Sequence, residues 1–271
     1  MTFYPIVKWA GGKRQILSEI KNNLPENYNC YFEPFIGGGA LFFDLQPKKA
    51  YISDVNEELI NLYCVVRDNC QELIQDLCKH ENTKEYFLTI RNIDRKTEYK
   101  EWTAIQKASR FIYLNRTCFN GLYRVNSKGE FNVPFGNYLN PRIIDKENLL
   151  NCSYILKTTI IKYADFSMIL DYVKKDDFVY FDPPYMPLNP TSNFTSYTKQ
   201  GFDFDMQIKL KNLCDELTAK GIYFLLSNSD TETINKLYSS YNIKKIFASR
   251  IINSNVNKRG RITEVLIKNY F

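Results

Sequence analysis

The tetrapeptide Asp182-Pro183-Pro184-Tyr185 directly follows Phe178–Phe181, a short apolar run that is typical of a buried strand. Each proline fixes φ and removes a backbone donor, so the chain leaves the strand in a rigid turn with carbonyl groups that can accept hydrogen bonds. Open α/β sheets bind their ligands at the carboxyl ends of strands. We therefore predict a site in which Asp182 accepts hydrogen bonds from an amino group on a planar ring that stacks on Tyr185. The alternative interpretation is a surface turn that caps a helix.

Strand and helix patterns alternate on both sides of this turn. Runs of β-branched and aromatic residues are followed by apolar residues with a helical period, which indicates an α/β sheet. The predicted strands are Tyr31–Phe35, Ala50–Asp54, Thr159–Ala164, Phe178–Phe181 and Ile222–Ser227, with a possible hairpin of Ile243–Ala248 and Ile262–Asn269. The predicted helices are Ala40–Leu45, a helical pattern from Leu59 to Leu77, Ala104–Asn115, Phe166–Lys174 and Asp205–Lys220, which Gly221 closes.

The period changes between the two α/β parts of the chain, and this indicates an inserted domain. We predict a sheet domain of residues 1–58 and 147–271 that is interrupted by a mostly helical domain of residues 59–146. Residues 84–150 hold twelve Lys or Arg against seven Asp or Glu, and residues 242–261 hold six Lys or Arg and no acid. Such surfaces suit nucleic acid, because phosphate contacts supply much of its affinity, although a solvated basic face is an equal alternative.

The composition excludes several classes of protein. The net charge is +6, with 44% hydrophobic and 24% charged residues, and the chain lacks both a signal-like start and the ~18–20 apolar residues of a spanning helix. We therefore expect a soluble protein inside the cell. The seven cysteines form no Cys-x-x-Cys pair and His80 is the single histidine, so we expect free thiols and no metal. We expect His80 to be exposed and structural.

Two further features suggest a nucleotide-like ligand. The stretch Phe35–Gly39 ends in three glycines, which let a backbone approach a ligand closely, and Asp54 ends the next predicted strand. An acid at that place can bind ribose hydroxyls. The glycines are not a dinucleotide fingerprint because Phe42 stands at the third glycine position, and Gly11–Lys13 lacks the spacing of a P-loop. A nucleoside-containing cofactor without a pyrophosphate fits this set.

These motifs, with Lys8-Trp-Ala-Gly-Gly-Lys13 and Ala164-Asp-Phe166, stand in the order of a known family. Over nearly its whole length the sequence resembles the DNA adenine-N6 methyltransferases of the Dam/DpnII type (D12 class, alpha group). The stretch Phe119–Gly136 is similar to the target-recognition segment of the members that modify GATC. The resemblance implies a Rossmann-like, S-adenosylmethionine-dependent methyltransferase fold with an inserted recognition domain. It also implies methyl transfer to N6 of a flipped-out adenine in double-stranded DNA.

The resemblance assigns roles to individual residues. The implied catalytic residues are Asp182, Pro183 and Tyr185. Those implied to bind S-adenosylmethionine are Trp9, Lys13, Phe35, Gly37, Gly39, Asp54, Asp165, Phe166 and Asp182. Those implied to contact DNA are Lys8, Phe119, Asn120, Leu122, Arg124 and Pro134. Among them Arg124 is the candidate for reading guanine, because a guanidinium can bond O6 and N7 together. Phe119 is placed to wedge into the gap that a displaced base leaves.

Other functions remain as alternatives. Cytosine-N4 methylation is the nearest, because its substrate is also a conjugated exocyclic amine, and a DNA-binding regulator without catalysis is another. Cytosine-C5 methylation is disfavoured, since its cysteine follows a proline in that family and no cysteine does so here. We expect a monomer in a bacterial or phage-infected cytoplasm, with a restriction endonuclease as a separate partner. We also expect Met186–Gly201 to be a mobile loop that orders over the flipped base.

Overall fold

Seven strands form one sheet in the computed structural model, which describes residues 3–186, 202–249 and 261–271. The strands are β1 (Tyr31–Glu33), β2 (Ala50–Asp54), β3 (Thr159–Tyr163), β4 (Phe178–Phe181), β5 (Tyr223–Ser229), β6 (Asn242–Ser249) and β7 (Arg261–Lys268). Their order is β3-β2-β1-β4-β5-β7-β6. β1 pairs in parallel with β2 and β4, β4 pairs in parallel with β5, and β7 is antiparallel to β5 and β6. This mostly parallel sheet confirms the predicted α/β, Rossmann-like fold.

Helices connect these strands. Within the described ranges they are α1 (Leu17–Lys21), α2 (Ala40–Leu45), α3 (Glu57–Asp68), α4 (Cys70–Leu77), α5 (Lys84–Asn92), α6 (Ala104–Thr117), α7 (Lys146–Leu156), α8 (Phe204–Ala219) and α9 (Glu232–Leu237). In this part of the chain no helix is long and apolar enough to cross a membrane.

Local sequence explains where the main helices begin and end. The side chain of Asn56 accepts a hydrogen bond from the Leu59 amide, which satisfies one of the free donors at the start of α3. Thr103 and Gln106 form a capping box at the start of α6. Gly221 has a φ of +70° and follows the end of α8, as predicted, because the left-handed region suits glycine.

Several predicted elements differ from the structure in their bounds, and the helical pattern from Leu59 to Leu77 divides at Asn69 into α3 and α4. Strand β1 ends at Glu33 instead of Phe35, because Pro34 has no N–H to continue the ladder. The predicted helix Phe166–Lys174 is a 3₁₀ helix that ends at Asp171, and Asp165 caps it by accepting from the Ser167 amide. The predicted terminal hairpin is confirmed by the antiparallel pairing of β6 and β7. Its loop, residues 250–260, lies outside the described residues, and so do residues 187–201 of the predicted mobile loop.

The chain divides into two compact units. Apart from the undescribed positions, the first is Met1–Gly12, Gly37–Gln46 and Asp54–Tyr163, and the second is Lys13–Ile36, Pro47–Ser53 and Ala164–Phe271. In the first unit α6 packs against α3, α4 and α5. In the second, apolar side chains of β4, β5 and β7 join those of α8 in one core. The predicted division into residues 59–146 and the remainder stays a prediction.

His80 is not the exposed residue that we predicted. Its ring is partly buried and stacks on Tyr113, with ring centroids 4.4 Å apart. Nδ1 is hydrogen bonded to the Tyr86 hydroxyl and Nε2 to the Ser109 hydroxyl, each at 3.0 Å. Burial lowers the pKa of His80 to about 4, with a smaller contribution from Lys79. The prediction failed because these three partners lie on α5 and α6, outside the polar stretch around His80.

We expect the His80→Gln variant to reveal this burial through the pH dependence of stability. Between the ordinary histidine pKa of 6.5 and about 4, the unfolded chain binds a proton that the folded chain does not. The wild-type free energy of unfolding should therefore lose a contribution as the pH falls through this window, and the variant should lack that contribution. Urea unfolding at about pH 7 and about pH 5 measures it. An equal difference between the two proteins at both pH values would contradict the assignment.

Candidate functional site

Asp182 stands at the carboxyl end of β4 in the second unit, where two donors contact its side chain. Its Oδ1 atom lies 2.8 Å from Lys13 Nζ and accepts a hydrogen bond from Ser227 Oγ at 3.1 Å. Ser227 lies beside it because β4 and β5 are parallel, with Phe181 opposite Leu226. Burial raises the pKa of Asp182, while Lys13 and Ser227 oppose that shift. The side chain is therefore an acceptor held in place by a cation and a hydroxyl.

Tyr185 lies beside the same cation. Lys13 Nζ is 4.4 Å from the centroid of the Tyr185 ring, and the Tyr185 hydroxyl donates to Glu264 Oε2 at 3.0 Å. Burial raises the pKa of Tyr185 well above its usual value, with Asp182 and Glu264 adding to the shift, so its hydroxyl remains a donor. The Lys13 ammonium group thus contacts both the Asp182 carboxylate and the Tyr185 ring. The prediction that Asp182 accepts from an amino group on a planar ring stacked on Tyr185 stays a prediction, because the group that contacts both side chains here is a lysine ammonium.

A cluster of aromatic rings surrounds Phe35 in the second unit. The rings of Phe35 and Phe166 are stacked with centroids 5.2 Å apart, and Phe202 meets Phe35 edge-on at 5.7 Å. Phe166 is buried, whereas Phe35 is only partly buried. The structure therefore brings together two of the residues predicted to bind the cofactor, and Phe166 presents little free surface of its own.

Asp165 carries a partly exposed carboxylate next to this cluster. Its Oδ1 atom accepts hydrogen bonds from the Ser167 amide at 3.1 Å and from Lys209 Nζ at 2.9 Å. Burial would raise the pKa of Asp165, but the bonds from Ser167 and Lys209 outweigh it and the pKa is lowered. Asp165 is consequently ionised at neutral pH and can accept from a ligand.

In the first unit, Gly37 packs against Trp9 so closely that a side chain would not fit. A Cβ added at Gly37 would lie 2.7 Å from Trp9 Cδ1, and the φ of Gly37 is +46°. The Gly37 amide donates to Asp54 Oδ2 at 3.1 Å, and its carbonyl oxygen accepts from the Tyr63 hydroxyl at 2.8 Å. Both properties of glycine are used here, since the backbone takes a left-handed conformation and comes close to a ring.

Asp54 lies at the carboxyl end of β2 and keeps spare acceptor capacity. Its Oδ1 atom accepts from the Asn56 amide at 3.0 Å and its Oδ2 atom from the Gly37 amide. Burial raises the pKa of Asp54 to about 6, although the amides of Gly37, Asn56 and Val55 lower it in part. An ionised carboxylate has about four lone-pair positions, so at least one remains for a ligand's hydroxyl group beside the amides of Gly37, Asn56 and Val55.

Trp9 also belongs to a stack of three rings in the first unit. Its ring lies parallel to that of Tyr123, with centroids 5.6 Å apart, and Tyr123 stacks on Phe111 at 5.0 Å. The Tyr123 hydroxyl donates to Glu58 at 3.0 Å. Trp9, a predicted cofactor residue, is thereby tied to Tyr123, a residue of the predicted recognition segment.

The predicted recognition segment, Phe119–Gly136, folds back on itself in the first unit. Isolated bridges join Val125 to Phe131 and Cys118 to Phe135. The segment rests on buried apolar residues of α5 and α6, and Phe131 and Val133 belong to this core. Four of the residues predicted to contact DNA are exposed on it, namely Phe119, Asn120, Arg124 and Pro134, and Leu122 is partly buried.

The buried side-chain amide of Asn115 links the backbone of Lys8 to this segment. Asn115 accepts from the Lys8 amide and donates to the Lys8 carbonyl, both at 2.8 Å, and it also donates to the Gly121 carbonyl at 2.9 Å. Lys8 Nζ lies 5.4 Å from the centroid of the Tyr138 ring, and the Tyr138 hydroxyl accepts from the Asn120 amide. Asn115 therefore places Lys8 beside the predicted DNA-contacting residues.

The Arg124 side chain is held by hydrogen bonds to Asn132 of the same segment. Its Nε donates to Asn132 Oδ1 at 2.6 Å and its Nη2 to the Asn132 carbonyl at 3.2 Å. The side chain remains exposed. Asn132 thus orders a guanidinium at the surface of the segment, which reduces the entropy that it would lose on binding.

Several basic residues in the two basic stretches are paired and do not present free charge. Arg110 is fully buried and lies 2.6 Å from Asp94, and Arg95 lies 3.4 Å from Glu130. On β6, Lys244 pairs with Glu19 and Lys245 pairs with Asp230. The excess of positive residues in the sequence therefore overstates the charge that these described residues offer to DNA. Among the described residues no group of His, Cys, Asp and Glu is arranged to hold a metal ion.

The structure also identifies partners that the sequence did not predict. Ser227 contacts Asp182, Glu264 contacts Tyr185, Tyr63 contacts Gly37, and Asn115 contacts Lys8. Ser227 carried a signal, because it begins a run of polar residues at the buried end of an apolar strand. Such residues need partners, and partners at a strand's carboxyl end lie near the ligand site.

Comparison with known proteins gives a consistent result. Residues 9–252 match the family described as D12 class N6 adenine-specific DNA methyltransferase. The chain is 48% identical to the type II methyltransferase M1.LlaDCHI of Lactococcus lactis subsp. cremoris, over 98% of this chain and 95% of the relative. It is 46% identical to the type II methyltransferase M.MjaIII of Methanocaldococcus jannaschii over the full length of both. It is 35% identical to the DNA adenine methylase of Haemophilus influenzae, over 97% of this chain and 92% of that protein.

Proposed function

We propose that this chain, which belongs to the D12 class of N6 adenine-specific DNA methyltransferases, takes its methyl group from S-adenosylmethionine and acts on an adenine flipped out of GATC. The enzyme class follows from the family match and the relatives. The donor, the flipped base and the site sequence are the proposal. The observation that supports it best is Lys13 Nζ, an N–H donor that contacts both the Asp182 carboxylate and the Tyr185 ring.

Adenine has the two features that this pair of residues can bind. Its N6 amino group would donate to Asp182 and to the carbonyl oxygen of Pro183, and its planar ring would stack on Tyr185. A base inside a duplex must be turned out to reach them, which costs a few kcal/mol. Stacking on an aromatic side chain contributes about 1–3 kcal/mol and offsets much of this cost. Lys13 must leave the face of Tyr185 when the base enters.

The chain's contribution to the chemistry is to hold the amine in a reactive geometry. The N6 lone pair is delocalised into the adenine ring, so the amine is a poor nucleophile. Hydrogen bonds from its N–H groups to Asp182 and Pro183 favour a pyramidal nitrogen whose lone pair can attack. S-adenosylmethionine, when bound, supplies an electrophilic methyl group on a sulfonium. Positioning and fixed electrostatics then provide much of the rate, and no histidine is needed.

The residues present fit this cofactor. The Gly37 backbone lies against the Trp9 ring, where a side chain would not fit, and Asp54 beside it keeps acceptor capacity for ribose hydroxyls. Asp165 offers a second ionised acceptor, suited to the amino group of the cofactor's adenine. The residues proposed to bind S-adenosylmethionine are Trp9, Lys13, Phe35, Gly37, Gly39, Asp54, Asp165, Phe166 and Asp182.

We expect cofactor affinity to depend on the ionisation of Asp54. Below about pH 6 the carboxyl is protonated and loses acceptor capacity, so the Kd for S-adenosylmethionine should rise as the pH falls through that value. The increase is at most about tenfold per pH unit. Titration calorimetry of the wild type and of Asp54→Asn measures it. The Asp54→Asn variant should bind S-adenosylmethionine weakly and with a Kd that lacks this pH dependence. This result would assign the dependence to Asp54 and not to Asp182. An identical pH dependence of the Kd in both proteins would contradict the role of Asp54.

The DNA contacts are proposed from the recognition segment. We propose that the region of residues 59–146 binds the duplex and that Arg124 reads a guanine of GATC through O6 and N7. The ordered, exposed guanidinium of Arg124 supports this. Phe119 would fill the gap left by the flipped base, since its ring is half exposed. The other proposed contacts are Lys8, Asn120, Leu122 and Pro134.

Two of the relatives bear the name of type II methyltransferases. We propose by analogy that this chain protects cytoplasmic DNA from a separate endonuclease. Cytosine-N4 methylation is disfavoured by the match to an adenine-specific family.

Methyl transfer to defined duplexes tests the proposed donor and substrate. S-adenosylmethionine with a labelled methyl group is incubated with the chain and a duplex that contains one GATC. Label should enter this DNA and should not enter a matched duplex that already carries N6-methyladenine in both strands of the site. Failure to bind S-adenosylmethionine would favour a DNA-binding regulator without catalysis.

A further inference from the structure

Two buried amide side chains hold the backbone on both sides of Tyr185. Gln207 Nε2, on α8, donates to the Pro184 carbonyl oxygen at 3.2 Å. Asn228 Oδ1, on β5, accepts from the Met186 amide at 3.2 Å. Tyr185 therefore sits between two fixed peptide groups, and its hydroxyl is fixed separately by Glu264.

The two side-chain amides are hydrogen bonded to each other, and each also has a hydrogen bond to the backbone. Asn228 Nδ2 donates to Gln207 Oε1 at 3.2 Å, and both side chains are fully buried. Asn228 Oδ1 also accepts from the Ser229 amide at 2.8 Å, and Ser229 Oγ donates to the Met186 carbonyl oxygen at 2.7 Å. A buried network in which each member has partners rigidifies its surroundings, because breaking one bond leaves a desolvated polar group.

The carbonyl oxygen of Pro183 differs from those of Pro184 and Met186 in its hydrogen bonding. The next carbonyl, that of Pro184, is occupied by Gln207, and that of Met186 by Ser229. Within residues 3–186, 202–249 and 261–271 the Pro183 carbonyl oxygen accepts no hydrogen bond. Because prolines fix φ, anchoring the chain at Pro184 and Met186 also fixes the direction of the Pro183 carbonyl.

We propose that Gln207 and Asn228 are positioning residues that aim the Pro183 carbonyl and the Tyr185 ring at the target amine. This inference rests on the proposed roles of Pro183 and Tyr185. Neither amide contacts the base itself. Both act on the geometry of the reacting pair, where an error of about 1 Å can cost about a hundredfold in rate.

The first test is the Gln207→Leu variant, in which an apolar side chain of similar size replaces the amide and removes the donor to the Pro184 carbonyl. The single-turnover rate constant of methyl transfer should fall about 10- to 100-fold. The Kd values for DNA and for S-adenosylmethionine should stay within about twofold, because no proposed contact to either is removed. Asn212→Leu is the matched control, since Asn212 is an exposed amide on the same helix, and it should leave the rate unchanged.

The second test uses Gln207→Glu and its pH dependence. A protonated carboxyl has one O–H donor for the Pro184 carbonyl and one oxygen acceptor for Asn228, so it can replace the amide. An ionised carboxylate cannot donate. The single-turnover rate of this variant should approach that of the wild type at low pH and fall as the pH rises through the pKa of the introduced carboxyl. A purely structural role would not add a descending limb to the pH–rate profile.

The outcomes separate this inference from the function on which it rests. A Gln207→Leu rate within twofold of the wild type, or a loss matched by weaker DNA and cofactor binding, would overturn it. A pH–rate profile of Gln207→Glu parallel to that of the wild type would also overturn the positioning role. If Gln207→Leu does not fold, the Gln207→Glu profile alone tests that role. If Asp182→Ala retains full activity, the proposed function itself fails. If Asp182→Ala is inactive and the position 207 variants behave as the wild type, only the positioning role fails.

Discussion

The Asp182→Ala variant is expected to lose at least about 100- to 1000-fold in the rate of methyl transfer, the cost of deleting one preorganised polar group at a reacting centre. In the proposed mechanism Asp182 is the charged acceptor for the adenine amino group. It is held for that role by Lys13 and by Ser227. Alanine removes the acceptor and also leaves the buried Lys13 ammonium without this carboxylate. Single-turnover incorporation of labelled methyl groups measures the effect.

The same variant should still bind S-adenosylmethionine, because most of the proposed cofactor contacts lie elsewhere. Asp182→Asn is the companion variant, since its amide oxygen can accept one hydrogen bond but carries no charge, and it should lose less activity than alanine. Melting temperatures of both variants control for misfolding. A simultaneous loss of methyl transfer and of cofactor binding by Asp182→Ala would contradict this division of roles.

The Arg124→Ala variant is expected to lose discrimination at one base pair of the site. A bidentate contact to guanine is worth about 1–3 kcal/mol, which corresponds to about 5- to 150-fold in the ratio of rates on GATC and on a site with that guanine replaced. Asn132 holds the Arg124 side chain by two hydrogen bonds, so the guanidinium is already ordered before DNA binds. The ratio of kcat/KM on the two duplexes measures the effect.

Two further variants show whether the guanidinium fork or its charge matters. Arg124→Lys keeps the charge without the planar fork and should recover little discrimination. Lys128→Ala removes an exposed charge from the same segment and should weaken binding to both duplexes equally. Equal losses on both duplexes for Arg124→Ala would mean that Arg124 contacts phosphate and does not read a base.

The sequence predicted those parts of the site that depend on local chemistry. Asp182 and Tyr185 are separated by two prolines, so their placement after β4 depends on neighbouring residues alone. The glycines that follow β1 were predictable for the same reason. Gly37 has a positive φ and no room for a side chain, although the group that its backbone approaches is the Trp9 ring, and the predicted approach to a ligand stays a prediction.

Contacts between distant parts of the chain were not predictable from the sequence. The Lys13 ammonium contacts Asp182 and Tyr185. Gln207 donates a hydrogen bond to the Pro184 carbonyl. Both contacts depend on the packing of the second unit and on no spacing in the sequence. His80 shows the same limit, since its polar neighbours in sequence suggested exposure while its partners on other helices bury it.

Charge patterns were the least informative feature. The basic stretch that suggested DNA binding includes Arg110, whose guanidinium is buried against Asp94. Counting residues cannot separate such structural cations from exposed ones such as Arg124. Burial and ion pairing decide which charges a duplex can reach.

Mapping of modified bases in plasmid DNA identifies the methylated base and its sequence context in one experiment. Plasmid without prior adenine methylation is incubated with the chain and S-adenosylmethionine, and every modified position is then identified by sequencing. We expect N6-methyladenine in both strands of GATC and no modification elsewhere. N4-methylcytosine, or N6-methyladenine in a different sequence, would contradict it.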